Sequence, residues 1–384
     1  MEKQKNIPQL RFPDFVGEWG NLKLGELSKS IHSGKDSNVF DGNYPLYGSM
    51  GIIGKSSSPT YEGKYILVAR VGANAGSINM VEDSFGVTDN TLVIENDSRI
   101  DTDFEYYLLK VANLNRYIFG SGQPLVTGSM LKALKVLIPS FPEQQKIASF
   151  FTAIDQKISQ LKKKKILLEQ YKKGVMQKIF SQEIRFKDDN GQEFPKWEKK
   201  KLGDISERMT TKNNEGNENV LTISAQHGLV GQLDFFNKSV AATDLSGYFL
   251  LKKDDFAYNK SYSAGYPMGA FKRLKLYDKG VLSTLYICFT FNSAANLSYM
   301  EQYFESGRHN REIEKIAQEG ARNHGLLNVG VGDFFSTEVL LPSLGEQTKI
   351  ANFLSAIDEK ITHTQNQIEK AEVWKKGLMQ QMFV

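Results

Sequence analysis

The sequence predicts an α+β fold in which two globular α/β domains are joined by two long helices that pair as a coiled coil. Three observations predict it. A stretch of the 384-residue chain, "PEQQKIASFFTAIDQKI" at 142–158, returns as "GEQTKIANFLSAIDEKI" at 345–361. Both copies space their apolar residues alternately four and three apart, the heptad signature of a coiled coil. The remaining regions are rich in Gly, Asn, Ser and aromatics, with short β-branched runs between turn formers, as strands and loops require.

Composition sets outer bounds. Domains typically run to about 100–200 residues, so this length suits two cores. The 48 Lys and Arg against 44 Asp and Glu leave only +4, too little to signal nucleic-acid binding by itself. The single cysteine, Cys288, lies in the apolar run "TLYICFTF", which predicts a buried thiol and no disulfide within the chain. The opening "MEKQKNIPQLRFPDF" lacks the apolar core of a signal peptide, and no window has the length of a membrane span. The expectation is a soluble, cytoplasmic protein with no membrane partner.

In chain order, a first segment, "LRFPDFVGEWGNLKLGELS", is echoed later by "IRFKDDNGQEFPKWEKKKLGDIS", which aligns Trp19 with Trp197 and "LGEL" with "LGDI". Residues 25–138 and 203–341 are the dissimilar inserts, where "YILVARVG", "NTLVIEN" and "LSTLYICFTF" predict strands. Across them "ILVARVGANAG" lies over "DFAYNKSYSAG", placing Arg70 opposite Asn259.

Each insert is followed by Pro139 or Pro342 and then by a long helix. In the first helix one seam row begins Ile147, Ile154, Leu161 and the other Phe151, Ile158, with Lys165 and Lys172 interrupting the second. In the second helix the rows contain Ile350, Ile357 and Leu354, Ile361, Ile368, with Thr364 and Lys375 as interruptions. An exposed apolar stripe is costly, and the nearest partner for each helix is its own duplicate. The run Lys162 to Lys165 reads as a solvated face, with contact to DNA phosphates as the alternative.

Catalytic constellations are hard to find. Gly54-Lys55-Ser56 matches the end of a phosphate-binding loop, but the position five before Gly54 is Ser49, not Gly, so a turn is the better reading. Asp188 and Asp189 with the later Glu198-Lys199-Lys200 could suggest a nuclease, yet they sit in a polar linker. The five histidines, at 32, 227, 309, 324 and 363, lie far apart and have no zinc-like spacing. No Pro-Pro pair exists for an amino-methyltransferase loop. The expectation is a chain with no catalytic site, no metal and no cofactor of its own.

The paired motifs "PSFPEQQKIASFFTAIDQKI" and "PSLGEQTKIANFLSAIDEKI", followed by "KKGVMQKIF" and "KKGLMQQMF", resemble the two conserved regions of specificity subunits of type I restriction-modification systems. "YNKSYSAGYPMGAFKRL" also resembles the second kind of target recognition domain in such proteins. The resemblance implies a first target recognition domain at 1–138, a conserved helix at 139–181, a linker and second recognition domain at 182–341, and a second conserved helix at 342–384. It implies that each recognition domain reads one half of a bipartite site on double-stranded DNA. The helices would lie antiparallel as a ruler, giving a pseudo-twofold internal repeat. Methylation and restriction subunits, carrying the S-adenosylmethionine, ATP and Mg chemistry, would dock on this scaffold.

Base readout needs fixed donors and acceptors at base edges, whereas lysines on phosphates set position and salt-sensitive affinity. Candidate readers in the first domain are Lys35, Ser49, Lys55, Arg70, Asn74, Gln123 and Thr127. In the second they are Lys212, Asn213, Asn259, Lys260, Ser261, Tyr262, Arg322, Asn323 and His324. A coiled-coil adaptor binding only proteins would also explain the repeat, but it needs no pair of dissimilar loop-rich domains. A nuclease or methyltransferase would need residues the chain does not offer.

Overall fold

The computed structural model describes residues 6–117, 124–236, 242–322 and 325–384. The first half contains β1 (Gly20–Lys23), α1 (Leu24–Leu27), β2 (Ser28–Ser33), β3 (Tyr44–Gly48), β4 (Gly51–Ser56), β5 (Tyr61–Ala69), β6 (Ile78–Val87), β7 (Thr91–Asn96), α2 (Thr102–Ala112), α3 (Gly128–Ala133), β8 (Lys135–Ile138) and α4 (Phe141–Phe180). Six strands form a sheet in the order β2-β7-β5-β6-β3-β4. Side chains alternate across β5, so Ile66 and Val68 enter one core while Leu67 enters another with Phe85 and Val93. The strand is therefore buried on both faces.

The second half contains β9 (Glu198–Lys201), α5 (Leu202–Ile205), β10 (Ser206–Arg208), β11 (Leu221–Ser224), β12 (Gly228–Gly231), α6 (Gln232–Phe236), β13 (Phe249–Lys252), β14 (Phe256–Asn259), β15 (Ala270–Arg273), β16 (Lys279–Leu282) and β17 (Ile287–Phe291). It continues with α7 (Leu297–Glu305), α8 (Asn310–Ile316), β18 (Gln318–Arg322), β19 (Leu326–Asn328), α9 (Val331–Ser336), β20 (Glu338–Leu341) and α10 (Leu344–Met382). Strands β10-β17-β14-β15 form a sheet, and four further pairs stand beside it in sequence. Along β17, Ile287 and Phe289 face one core and Cys288 the other. Burial pushes the Cys288 thiol up to about 12. It is a packing residue, as its apolar surroundings predict.

The chain divides into two compact units, one comprising Met1–Lys164 with Thr364–Val384 and the other Lys165–His363. Each unit therefore holds the start of one long helix and the end of the other. In the first, Ile147, Phe151, Ile154 and Ile158 of α4 share a core with Trp19, Phe104, Met382 and Phe383, and Leu161 is buried as well. In the second, Ile350, Leu354 and Ile357 of α10 share a core with Ile179, Phe180, Trp197 and Tyr299. Ile361 packs against that core half-buried, while Ile368, in the first unit, is buried.

The same frame closes both units. Arg11 makes a two-pronged bond to Glu143 at 2.7 Å on each prong, and Arg185 makes one to Glu346 at 3.1 and 2.6 Å. Gln144 donates to the carbonyls of Arg99 and Pro139 and accepts from the Asp101 amide. Gln347 does the same with Ala294, Pro342 and Asn296. Asp101 and Asn296 in turn cap α2 and α7 through their side chains. The repeated Glu-Gln thus fastens the start of a long helix to the preceding domain.

Farther along, Asp155 receives Lys375 at 2.6 Å and the Tyr107 hydroxyl at 2.8 Å. Asp358 receives Lys172 and Gln302, each at 2.7 Å. Lys172 and Lys375, two of the three lysines that interrupt the apolar seams, are therefore ion-pair partners of the repeated aspartates, while Lys165 pairs with Glu169 at 3.6 Å. Phe383 meets Trp19 edge-on at 6.4 Å between ring centroids, and Phe180 meets Trp197 at the same distance.

Candidate nucleic-acid interface

In each unit a strand end and a later segment bring candidate readers together. Beyond β5, the Val126 amide donates to the Arg70 carbonyl at 2.8 Å and the Gly72 amide to the Pro124 carbonyl at 3.1 Å. Residues 124–127 thus run beside 70–72, and Arg70, Asn74 and Thr127 share one neighbourhood. Arg70 is half-buried and its guanidinium donates to the Asp89 carbonyl at 3.3 Å. The Thr127 hydroxyl accepts from the Met130 amide and so caps α3. Gln123 lies outside the described residues.

The second unit repeats the device beyond β14. The Leu327 amide donates to the Lys260 carbonyl and the Tyr262 amide to the Gly325 carbonyl, both at 2.9 Å. Asn259, Lys260, Ser261 and Tyr262 therefore lie against the β19 segment. Asn259 turns the loop by accepting from the Ser261 amide at 3.0 Å, and Tyr262 is 63% exposed. Arg322 ends β18, its side chain outside the described set, as are Asn323 and His324 altogether.

The loop after Asn259 is held rigidly. At Gly269 the backbone has φ +79°, and any Cβ would come 2.2 Å from the Asn259 carbonyl oxygen, so only glycine fits. The Tyr266 hydroxyl donates to Glu305 at 2.8 Å and accepts from Lys272 at 3.1 Å, and Lys272 closes the triangle with Glu305. Burial pushes the Tyr266 phenol above its ordinary range. Groups fixed this way lose little entropy when they engage a ligand.

The remaining candidates stand elsewhere. Lys35 and Lys55 are exposed and Ser49 is half-buried. The loop behind Lys35 is anchored by Asp36, which accepts from the Val87 amide at 2.7 Å. Lys55 lies within β4, so Gly54-Lys55-Ser56 is strand and not the turn the sequence suggests. Lys212 donates to the Gly247 carbonyl at 2.6 Å and rests over the Phe249 ring. Asn213 is buried, and its amide group exchanges two hydrogen bonds with the Asn217 backbone. That position shapes its own loop.

Sequence reasoning passed over the β3–β4 hairpin end, where Met50, Ile52 and Ile53 are exposed. Large apolar residues between glycines in "GSMGIIGKS" were the available signal. It also passed over Arg11 and Arg185, although both stand before Phe in the echoed segments "LRF" and "IRF". Among the described residues no group of three or more His, Cys, Asp or Glu could hold a metal. Nor is any helix among them long and apolar enough to cross a membrane.

Comparison with known proteins identifies the family and the fold. The family model described as "Type I restriction modification DNA specificity domain" matches residues 17–170 and 195–373. The chain is 27% identical over 420 aligned positions to the type I restriction enzyme MjaVIII specificity subunit of Methanocaldococcus jannaschii, covering 98% of this chain and 94% of that one. It is 29% identical over 153 positions to the EcoprrI specificity subunit of Escherichia coli, covering 38% of each. The fold is shared with the crystal structure of the type I restriction-modification S subunit from M. genitalium, at TM-score 0.64, 15% identity and 98% and 99% coverage.

Proposed function

From the premise that the chain belongs to the type I restriction-modification DNA specificity family, we propose that it reads a bipartite DNA site, one half with each unit. Its role in such a system is DNA recognition and not catalysis. The strand-end loops carry the readout, Arg70 and Asn74 in the first unit and Asn259 to Tyr262 in the second. Lys35, Lys55 and Lys212 contact phosphates and set register.

The two long helices pair antiparallel as a coiled coil and fix the unread spacer. The crosswise ion pairs carry this reading. In the first unit 151, 155 and 162 of α4 meet Phe383 just past α10 and residues 375 and 372 within it, one number rising as the other falls. In the second, Lys172 meets Asp358. An offset of 203 converts Asp155–Lys375 into Asp358–Lys172, as a pseudo-twofold repeat requires. The same frame scaffolds methylation and restriction subunits, which supply S-adenosylmethionine, ATP and Mg chemistry in the cytoplasm.

The test is to exchange residues 25–138 for the corresponding insert of a relative and to sequence the methylated sites. The expected outcome is one altered half-site, with the other half-site and the spacer unchanged. A change in both half-sites, or in neither, refutes independent reading.

A further inference from the structure

The first unit contains a cleft of about 590 Å³ between α2, α4 and α10. Four lysines line it, Lys110, Lys162, Lys375 and Lys376, against two carboxylates, Asp155 and Glu372. Both carboxylates are already engaged, Asp155 by Lys375 and Glu372 by Lys162, each at 2.6 Å. Lys110 and Lys376 have no carboxylate within 4.0 Å among the described residues. Burial and the neighbouring Lys375 hold the Lys110 ammonium below its ordinary pKa against the opposing pull of Asp155, and the ammonium rests over the Tyr106 ring at 5.2 Å. Ile158 and Met379 give the cleft an apolar wall.

The other unit repeats Lys376 as Lys173 at the offset of 203 but not the rest of this chemistry. The helix caps Asp101 and Asn296 are 195 apart, which sets Glu305 in the place of Lys110 and Glu301 in the place of Tyr106. Both glutamates are satisfied internally, Glu305 by Lys272 and Glu301 by Lys275. At the offset of 203, Gln365 stands in the place of Lys162. A frame that keeps its aspartate–lysine pair twice has thus placed a surplus of positive charge beside it once.

We propose that this cleft is a docking site for an acidic segment of a protein partner, with Lys110 and Lys376 receiving its carboxylates and Ile158 and Met379 an adjoining apolar side chain. The surplus charge favours a negatively charged occupant, and the apolar wall favours a side chain over a bare ion. The proposal rests on the scaffold reading of the chain, because the partner it names is a subunit that assembles on this frame. It adds that assembly is chemically unequal on the two units.

The experiment uses the full chain assembled with a co-produced methylation subunit and a carbodiimide, which joins lysine to carboxylate with no spacer. Peptide mapping is expected to find Lys110 and Lys376 joined to Asp or Glu of the partner. Lys110→Glu with Lys376→Glu is expected to weaken subunit binding at least tenfold while DNA binding by the chain alone is unchanged, and Lys110→Gln with Lys376→Gln to fall between. An assembled complex with neither lysine joined, or undiminished binding by the charge-reversed variant, overturns the docking site and leaves the scaffold standing. Weaker DNA binding by that variant assigns the cleft to phosphates and also overturns it. An unaltered chain that assembles with no subunit removes the scaffold reading as well.

Discussion

His309 and Glu105 are buried ionisable side chains, one in each unit, and they respond to pH with opposite sign. His309 is fully buried among Phe271, Tyr303 and Phe304, with Nε2 3.2 Å from the Thr337 hydroxyl and Nδ1 unpartnered. Burial lowers its pKa from 6.5 to about 4. Unfolding lets it take up a proton, so the second unit keeps full stability above about pH 6.5 and loses up to about 3 kcal/mol as pH falls toward 4. Glu105, bonded to Asn96, is raised from 4.5 to about 7. Unfolding lets it release a proton, so the first unit has full stability below about pH 4.5 and loses a similar amount as pH rises through 7. Hydrogen exchange followed separately in the two units between pH 4.5 and 7.5 checks both slopes. Glu105→Gln should flatten the first, and His309→Leu the second.

At the scale of the element, the long helices depend on how they begin. Gln144 and Gln347 are each nearly inaccessible and make three hydrogen bonds across the junction with the preceding domain. Gln144→Leu leaves two carbonyls and an amide buried without partners, a cost of about 2–3 kcal/mol, confined to the first unit. Gln347→Leu should do the same to the second, with urea unfolding and exchange maps as the readout. The sequence announced these positions through repetition alone, because a motif kept twice in an otherwise divergent chain marks a shared mechanical task. The buried heptad residues from Ile147 to Leu161 and from Ile350 to Ile357 were legible for a different reason: a 3.5 period leaves few other ways to bury them. Lys172 and Lys375 were not legible as ion-pair partners, since a periodicity records spacing and not what stands opposite. The meeting of Asn259–Tyr262 with the β19 segment was equally hidden, because it joins residues more than sixty positions apart through backbone atoms that carry no sequence signal. Asn213 and Thr127 show the converse, polar side chains in Gly-rich loops that serve the loops themselves.

At the scale of the molecule, the ruler reading makes a quantitative claim. Four residues inserted after Glu169 add about 6 Å and rotate the distal part of the helix by about 400°, only about 40° past a full turn. The spacer should grow by one or two base pairs of about 3.4 Å with both half-sites unchanged. Two residues rotate the helix by about 200° and should abolish assembly. Methylation-site sequencing of the two variants decides it, and an active four-residue variant with the old spacer refutes the ruler. A second consequence concerns time. The core of the first unit is closed by Met382 and Phe383, whereas the second unit is the unbroken run Lys165–His363. Synthesis proceeds from the N-terminus, and domains ordinarily fold in that order. Here the residues that complete the later-made unit leave the ribosome before those that complete the earlier one. A chain truncated after Lys370 and released from the ribosome should hold a protease-resistant 165–363 and an open, digestible first unit, and restoring residues 371–384 should close it. Under the bipartite reading, a chain terminated before Phe383 would offer DNA only half of its vocabulary.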